Sequence, residues 1–469
     1  MKNSFRIERD YLCMKKIPYD ALYGISTLRA RENFPVSNLH LPKELTYAIV
    51  QIKRAAALVN AQRKLLSRQQ TRAILRACDD ILNSKFNAQF PLDVYQAGAG
   101  TSQHMNVNEV IANRALEILG KKKGSYRIID PHNHVNLGQS TNDVFHSAIH
   151  VAAFLTVRHK LLPALNALSR SLTKKTRRWR SIIKTGRTHL RDAVPMTLGQ
   201  EFSGYAAIIK KREKEIKQAS ASLLELNLGG TAIGTGITAP RDFGKDLIHK
   251  LNHSLKTCFR QSRNLFEGTQ SLAAIAALSS ALKVCSLSLI QFSHDLRLLS
   301  SGPATGLNEL RLPAAQPGSS IMPAKVNPSI PEMMEMICFQ VIGNDETIAL
   351  ATQAGELELN VMMPVAAYNL LLSIEILSNG VHIFQTKCID GIEPNIEVCR
   401  SYVERNPIAV TVLAPHIGYD KAAEIAQRAY REHTSIREIL LREHILTQRQ
   451  YAKLFTAKGF SLTSHEKNS

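Results

Sequence analysis

Residues 316–332 read QPGSSIMPAKVNPSIPE and separate two long helical patterns. The four prolines and the Gly-Ser-Ser triplet prevent this stretch from continuing a helix or joining a β-ladder. Its hydroxyl, ammonium and amide groups could all face one small anion. Loops of more than about a dozen residues are usually functional or disordered. We predict a mobile loop that carries part of a binding site, because the stretch is too apolar for a linker.

The patterns on both sides of this loop predict a mostly α protein. Long stretches of Ala, Leu, Glu, Lys and Gln dominate the 469 residues, and alternating β-branched runs are scarce. A chain of this length exceeds one ordinary core, and we expect three domains, over residues 1–142, 143–396 and 397–469. Apolar spacing predicts helices over residues 44–84 (two helices), 144–172 with a kink at Pro163, 202–228, 268–299, 332–352 and 359–384, and a break over 394–400.

The chain is strongly basic. Lys and Arg exceed Asp and Glu by 59 − 39 = 20, which attracts anions of every kind, nucleic acid included. The densest cluster, KKTRRWR at residues 174–180, falls where one helical pattern ends, and a solvated helix end explains it better than a nucleic-acid surface. We expect no nucleic-acid partner, and a small anionic substrate accounts for only part of the charge.

The cysteines and the N-terminus predict a soluble cytoplasmic protein. The seven cysteines are an odd number, scattered and without a CxxC pair, which indicates reduced thiols. Residues 1–10 are charged and lack the apolar core of a signal peptide. We also expect no membrane span, because no run approaches the roughly 18–20 apolar residues that a span needs.

Three further segments place polar side chains where they could meet an anion. Residues 98–110 (GAGTSQHMNVNEV) and 136–143 (NLGQSTND) put hydroxyls at predicted helix starts, where backbone N–H groups and the helix dipole favour anions. Such residues often only cap the helix. Residues 185–201 (TGRTHLRDAVPMTLGQE) contain His189, and a lone histidine is more often structural than catalytic. The glycines of residues 228–236 lack a βαβ context, so we expect no dinucleotide.

Residues 318–327 fit the GSSxMPxKxN signature of the aspartase/fumarase superfamily, and the three segments resemble that family's other motifs over nearly the whole chain. The resemblance implies a central bundle of long helices that assembles into a tetrameric multi-helix core. It further implies active sites shared between subunits, a small dicarboxylate substrate, no organic cofactor and no metal.

The resemblance also assigns roles to individual residues. Ser319 corresponds to the base that removes a Cβ proton, and Glu332 to the glutamate that holds His189. The charge left by the proton moves onto the neighbouring carboxylate as an aci-carboxylate, which fixed donors stabilise. The implied substrate-binding residues are Thr101, Ser140, Thr141, Asn142, Thr188, Lys325 and Asn327.

Shorter sequence motifs predict the leaving group. Leu307-Asn308-Glu309 and the stretch after Lys325 resemble the ammonia-lyases of the family more than its fumarases, which predicts L-aspartate ⇌ fumarate + ammonia. Two alternatives stay open: a class II fumarate hydratase, and a catalytically silent, basic binding protein. The chain departs from the common family pattern at His146, Ala304, Met363 and Ala414.

Overall fold

The computed structural model describes residues 5–456, and within this range the chain forms 17 α-helices, which confirms the mostly α prediction. The first helices are α1 (Ile25–Asn33), α2 (Lys43–Gln62), α3 (Arg68–Leu82), α4 (Thr101–Ile118), α5 (Thr141–Thr156) and α6 (Leu162–Arg178). The middle helices are α7 (Leu198–Ser220), α8 (Phe243–Leu255), α9 (Leu265–Gln270), α10 (Ala273–Leu299), α11 (Ser329–Gln353) and α12 (Met363–Lys387). The last helices are α13 (Ile396–Arg405), α14 (Ala414–Ile417), α15 (Tyr419–Arg431), α16 (Ile436–Arg442) and α17 (Gln448–Leu454).

Four small sheets, each of two strands, complete the described part of the chain. Three pairs are antiparallel and one is parallel. The antiparallel pairs are β1 (Phe5–Arg9) with β2 (Met14–Pro18), β3 (Ile183–Thr188) with β4 (Arg191–Thr197), and β7 (Leu310–Arg311) with β8 (Glu393–Pro394). The parallel pair is β5 (Glu225–Leu226) with β6 (Arg260–Gln261).

The chain divides into two compact units. The first unit comprises the residues up to 162, 214–284 and 339–377, and the second unit comprises 163–213, 285–338 and the residues from 378 onward. Of the five boundaries, four fall inside α7, α10, α11 and α12, and the fifth follows Leu162, the first residue of α6. The three-domain division at residues 142 and 396 stays a prediction.

In the first unit, α2 and α3 confirm the two helices predicted over residues 44–84. Ile49 and Ile52 of α2 and Ile74 and Cys78 of α3 have no exposed surface. Their spacing at one or two helical turns is the reason the sequence predicts this pair. A capping box at Ser67 starts α3.

Pro163 produces the predicted irregularity in the next long helix. The helical stretch runs from α5 into α6, and residues Val157–Leu161 between them form a π-helical turn. Proline lacks the N–H that would bond to the carbonyl four residues earlier, and its ring crowds that carbonyl. A single wide turn just before the proline relieves this conflict.

Several predicted boundaries were wrong. The helix predicted over residues 202–228 is α7, which begins at Leu198 and ends at Ser220, before strand β5. The break expected over residues 394–400 lies earlier, because α13 begins at Ile396, directly after the short strand β8. The loop expected over residues 316–332 ends at Pro328, because α11 begins at Ser329. Pro331 is tolerated there because the N–H groups of the first helical turn have no partner within the helix.

The end of the second unit has a small core of its own. Ten buried residues between Ala409 and Tyr451 form one hydrophobic cluster, to which α15, α16 and α17 contribute. Asn406 starts this region, since its side chain caps the turn that begins at Pro407 and also donates to the carbonyl of Ala193 at 2.8 Å. This contact ties the C-terminal helices to strand β4 within the second unit.

Helix α10 passes a test for membrane spans that the core helices of proteins without any span also pass, so the expectation of no membrane span is not contradicted. Among the described residues it alone is long and apolar enough by length and composition, with a mean hydropathy of 1.8. Within one chain 39% of that window is buried. A core helix of a multi-helix bundle has the same composition, because it is apolar around most of its circumference.

Candidate active site

The first candidate segment opens helix α4. Thr101 is its first residue and is exposed, and the preceding Gly100 has φ 78°. A Cβ atom at Gly100 would lie 2.5 Å from the ring of Phe145, so only glycine fits there. No side chain caps this helix start. The N–H groups at the beginning of α4 and the hydroxyl of Thr101 therefore form a surface that suits an anion.

The second segment opens helix α5 and has a side-chain cap. The hydroxyl of Ser140 accepts a hydrogen bond from the N–H of Asn142 at 3.3 Å, and the carboxylate of Asp143 accepts from the N–H of Ser140 at 2.9 Å. Together they form a capping box. The capping role that the sequence left open as an alternative for Ser140 is therefore present.

A histidine joins these two helix starts. Nδ1 of His104 lies 2.8 Å from Oγ1 of Thr141. His104 is fully buried, and burial holds its pKa well below the ordinary value, so the imidazole is neutral. No motif singles out this residue in the sequence, although it lies one turn after Thr101 and so on the same helix face.

Asp143 connects α5 to the glycine-rich segment of residues 228–236. Its Oδ2 accepts hydrogen bonds from the N–H groups of Gly229 at 3.0 Å and Thr231 at 3.2 Å. Asn142 reaches the same segment, since its side chain donates to the carbonyl of Ala232 at 2.7 Å. The glycine segment therefore fixes the start of α5. Burial raises the pKa of Asp143 to about 6, against these hydrogen bonds.

A buried lysine supports the same turn from α2. Nζ of Lys53 donates to the side-chain oxygens of Asn136 at 2.7 Å and Gln139 at 3.1 Å. Burial lowers the pKa of Lys53 to about 7, and the charge of Asp143 opposes that shift. No sequence motif includes Lys53. The feature that could have identified it is a single lysine on the apolar face of α2, because a buried charged group needs partners.

The third segment forms a strained hairpin. Thr188 ends β3, and a two-residue loop of His189 and Leu190 leads into β4. Both loop residues have positive φ, 55° and 56°, which tight hairpin turns require and side chains other than glycine or asparagine rarely adopt. Thr188 and His189 are exposed at the tip. Strain of this kind clusters at functional sites.

Buried ion pairs hold this hairpin. Nζ of Lys184 on β3 lies 2.7 Å from a carboxylate oxygen of Glu201 and 3.0 Å from one of Glu309. The guanidinium of Arg187 lies 2.8 Å from the other oxygen of Glu309. Burial raises the pKa of Glu201, against its pairing with Lys184. Glu309 and Lys184 are almost completely buried, so the pairs anchor the strand that ends at the candidate residues.

The signature loop closes on itself through its backbone. The N–H of Gly318 donates to the carbonyl of Lys325 at 2.8 Å, and the side chain of Asn327 donates to the carbonyl of Gly318 at 2.7 Å. A Cβ atom at Gly318 would lie 2.5 Å from that Lys325 carbonyl, so this crossing requires glycine. Ala324 takes φ 63° at the turn. The amide nitrogen of Asn327 thus has a structural partner in the loop.

Ser319 points its hydroxyl at the loop's own N–H groups. Its Oγ accepts hydrogen bonds from the N–H of Ile321 at 3.2 Å and of Met322 at 2.9 Å. Ser319 and Lys325 line one cleft of about 530 Å³ in the second unit. N–H donors on an oxygen favour its charged form.

Glu332 lies in the first turn of α11 and is half-buried. Within residues 5–456 of a single chain, it makes no hydrogen bond or ion pair with His189. The paired glutamate of α11 is instead Glu335, 2.6 Å from Arg297 and 3.3 Å from His294. The Glu332–His189 pair stays a prediction about the assembled protein.

The candidate residues fall into two groups, one in each compact unit. Within its unit, each group lies at helix starts, at a hairpin tip or in the signature loop. The first unit holds Thr101, Ser140, Thr141 and Asn142, and the second unit holds Thr188, His189, Ser319, Lys325, Asn327 and Glu332. Their convergence on one ligand stays a prediction. Among residues 5–456, no three His, Cys, Asp or Glu side chains are grouped to hold a metal ion.

The four departures from the family pattern have different environments. Ala304 is exposed in the loop after α10, and Ala414 is the first residue of α14. Met363 is the first residue of α12 and has no exposed surface, so it offers a ligand neither charge nor a hydrogen bond. His146 is buried in α5, away from the turn that carries Ser140.

Comparison with known proteins gives consistent results. Residues 14–343 match a family model described as lyase, and residues 410–459 match one described as the fumarase C C-terminus. An aspartate ammonia-lyase of Bacillus subtilis is 45% identical over 449 residues, covering 96% of this chain and 94% of the relative. A class II fumarate hydratase of Wigglesworthia glossinidia brevipalpis is 44% identical over 446 residues, covering 95% and 96%. The crystal structure of a fumarate lyase:delta crystallin from Brucella melitensis superimposes with a TM-score of 0.94 at 42% identity, covering 98% of this chain and 100% of that one.

Proposed function

The chain is a lyase of the aspartase/fumarase superfamily, and we propose that it is an aspartate ammonia-lyase, which eliminates ammonia from L-aspartate to give fumarate and also catalyses the reverse addition. The substrate is a small dicarboxylate, held by the hydroxyl, amide and ammonium donors of the two residue groups. Ser319 is the base, and His189 with Glu332 assists it.

One observation carries this proposal: the Oγ of Ser319 accepts two backbone N–H groups, at 3.2 and 2.9 Å. A serine hydroxyl is a poor base unless its alkoxide is stabilised. Two fixed donors, with Lys325 on the same cleft, supply that stabilisation. A serine that only completed a turn would need neither the ammonium nor the open cleft beside it.

The reaction then follows from the charges. The Ser319 alkoxide takes the Cβ proton, and the electron pair moves onto the adjacent carboxylate as an aci-carboxylate. Donors at Lys325, Asn327 and Thr188 stabilise this added charge. Collapse of the intermediate forms the carbon–carbon double bond and expels the amine from the opposite face, leaving fumarate and ammonia. Closing of the signature loop excludes water and strengthens these contacts.

The choice of aspartate as the substrate rests on short sequence motifs, and malate is the competing candidate. Leu307-Asn308-Glu309 and Val326 to Glu332 favour an ammonia-lyase. Identities of 45% and 44% to an aspartate ammonia-lyase and a fumarate hydratase differ too little to decide. Fumarate hydratase is therefore the second candidate, in which water adds to fumarate at the same site.

Ultraviolet absorbance of fumarate tests both candidates. The protein is incubated with L-aspartate and, separately, with L-malate, and fumarate formation is followed. We expect a rate with aspartate that exceeds the rate with malate by more than about 100-fold, the discrimination that a site built for one polar group achieves. Activity with malate alone would replace this proposal by the hydratase, and the absence of both activities would reject both.

We further propose a homotetramer in which subunits share active sites. Large apolar side chains stand exposed on the long helices of a single chain, among them Leu287 and Leu298 of α10 and Met336, Phe339 and Leu350 of α11. Packing these helices against copies of themselves would bury that surface. Size-exclusion chromatography with light scattering should give about four times the 52.1 kDa chain mass, and a stable, active monomer would contradict the tetramer.

The cytoplasm is the compartment that we propose. None of the seven cysteines, all within residues 5–456, forms a disulfide, and five are buried. Burial raises the pKa of Cys78, Cys338, Cys388 and Cys399 to about 12, which keeps these thiols protonated and unreactive. Fractionation of the native host should recover the protein with reduced thiols.

A further inference from the structure

Helix α5 carries two histidines one turn apart that the proposed reaction does not use. His146 and His150 are 2% and 4% exposed, and their ring centroids are 4.7 Å apart. Residues four apart on a helix lie on the same face. The pair therefore presents two imidazoles side by side within the first unit.

Each ring has one nitrogen engaged and one without a partner. Nε2 of His146 lies 3.0 Å from the carbonyl of Ser271, and Nδ1 of His150 lies 2.8 Å from the carbonyl of Glu225. A carbonyl only accepts, so these nitrogens carry the protons. Nδ1 of His146 and Nε2 of His150 then present lone pairs, and both are buried without a hydrogen-bond partner among residues 5–456.

The nearest amide cannot supply the missing proton. Asn227 lies beside the His146 ring. Its nitrogen already donates to the carbonyl of Asn142 and to Oγ1 of Thr269, both at 3.2 Å, and its oxygen accepts from Ser147 at 2.8 Å. Both amide protons are thereby engaged, so the hydrogen bond by which Asn227 raises the pKa of His146 is a weak one that a metal ion can replace.

Both rings line one cleft of about 420 Å³. Its charged lining residues are Glu225, Glu267 and Arg260, and the guanidinium of Arg260 is paired with Glu225 at 3.0 Å. The carboxylate of Glu267 is exposed and leaves the lining with a net negative charge. The cleft thus combines two nitrogen lone pairs with a negative lining, which favours a cation.

We propose that His146 and His150 bind a divalent first-row transition-metal ion, with water completing its coordination. Two histidines four apart on one helix face are a known arrangement for such ions. Neutral imidazole is the ligand form, and both rings are buried. The site has two protein ligands, both of them imidazole nitrogens.

The chemistry of the donors selects among ligands. An anion would face two lone pairs, which repel it. Mg²⁺ and Ca²⁺ prefer oxygen ligands, and imidazole suits Zn²⁺, Ni²⁺ and Cu²⁺. Affinity should follow the general order in which Cu²⁺ binds most tightly. The site lies within α5, whose N-cap residue is Ser140, so a bound ion would also stiffen the helix that presents the proposed binding residues.

Equilibrium dialysis of the chelator-treated, full-length protein against Cu²⁺, Zn²⁺ and Mg²⁺ tests the site. We expect one tight Cu²⁺ per chain, competition by Zn²⁺ and none by Mg²⁺. His146→Gln and His150→Gln keep a polar side chain but lose a ring nitrogen, and each should weaken binding more than about tenfold, since losing even an outer-shell partner costs that much. His159→Gln is the control, because His159 is exposed and lies in the π-helical turn after α5.

Each outcome of these experiments either supports or overturns the metal site. Equal Cu²⁺ binding by wild type and His146→Gln would overturn the site, as would wild-type protein that binds no stoichiometric ion. Should the variants fail to fold, wild-type protein alone decides. Electron paramagnetic resonance of the Cu²⁺ complex must then report at least two nitrogen ligands, and fewer would overturn the proposal. None of these readouts depends on lyase activity.

Discussion

Nδ1 of His104 on α4 lies 2.8 Å from Oγ1 of Thr141 on α5, and this contact joins the starts of the two helices that carry the first group of proposed binding residues. Both helix starts suit an anion. His104 is buried and neutral and does not itself face solvent. We infer that it positions Thr141 for the substrate.

The first prediction concerns this contact. Thr141→Val and His104→Phe should each lower kcat/KM for aspartate about 10- to 100-fold, because the first leaves the buried His104 ring and the second the half-buried Thr141 hydroxyl without its partner, at a cost of about 1–3 kcal/mol. The double variant should be little worse than either single one, since both remove the same contact. Additive losses would show that the residues act separately.

The second prediction concerns Ser319. Ser319→Ala should lower kcat by at least about 10²–10⁴-fold, the usual contribution of a general base, with an unchanged circular dichroism spectrum. Ser320→Ala is the matched control, because this neighbouring serine is exposed and accepts no hydrogen bond from Ile321 or Met322. A Ser319→Ala enzyme that kept most of its rate would remove Ser319 from the role of base.

The third prediction concerns closure of the signature loop. Gly318→Ala adds a Cβ atom 2.5 Å from the carbonyl of Lys325 and 2.6 Å from the N–H nitrogen of Asn327. Because both are backbone atoms, the loop cannot close as it does here, and kcat should fall more than about tenfold, with a melting temperature close to that of the wild type. Ala324→Gly, which relieves a positive φ of 63° in the same loop, should retain activity. Equal activity of the two variants would contradict the loop geometry.

The fourth prediction concerns the buried ion pairs beneath the His189 hairpin. Glu309→Gln leaves Arg187 without its paired charge and removes one of the two carboxylates around Lys184, so we expect a loss of about 3–5 kcal/mol in unfolding free energy. Glu404→Gln breaks the exposed pair with Arg400 and should cost about 0–1 kcal/mol. Denaturant titration measures both. Similar losses of unfolding free energy in the two variants would show that the buried pairs stabilise the protein no more than the exposed pair does.

The fifth prediction uses the buried carboxyl of Asp143. Its folded pKa of about 6 lies above the ordinary value of 3.8. A raised pKa gives stability that is complete below the unfolded pKa and lost as the pH rises through the folded one. Relative to Asp143→Asn, the wild type should therefore lose up to about 3 kcal/mol of unfolding free energy between pH 4 and pH 7. If the difference in unfolding free energy between the wild type and Asp143→Asn is constant across this range, the pKa of Asp143 is not raised.

Most of the fold was predictable because it depends on local spacing. Apolar residues such as Ile49, Ile52 and Ile74 recur at helical intervals. Pro163 lacks an N–H group, and the helix is irregular in the turn just before it, as expected. The wrong boundaries, at Ser329 and Ile396, lie at helix ends. A proline in the first turn is compatible with either a loop or a helix, so the sequence cannot separate the two there.

The candidate site was predictable only in part. Motifs identified Thr101, Ser140, Ser319 and Lys325, but missed the supports His104 and Lys53. A supporting residue has no pattern of its own along the chain, because its partner lies far away in sequence, as Thr141 does for His104 and Asn136 for Lys53. Burial and hydrogen-bond partners identify such residues, and both arise only on folding.

The amino-acid sequence by itself determined the helical class, the family and the residues of the signature loop, since these depend on spacing and identity along the chain. The tertiary structure alone decided what those residues touch. It gave Ser319 its two N–H donors. It placed His189 in a strained turn at the end of a hairpin whose β3 strand pairs with the buried Glu309. It also left one buried ring nitrogen on each of His146 and His150 without a close hydrogen-bond partner among the described residues. The physical reason is that hydrogen bonding and desolvation depend on distances in space, which the order of residues does not contain.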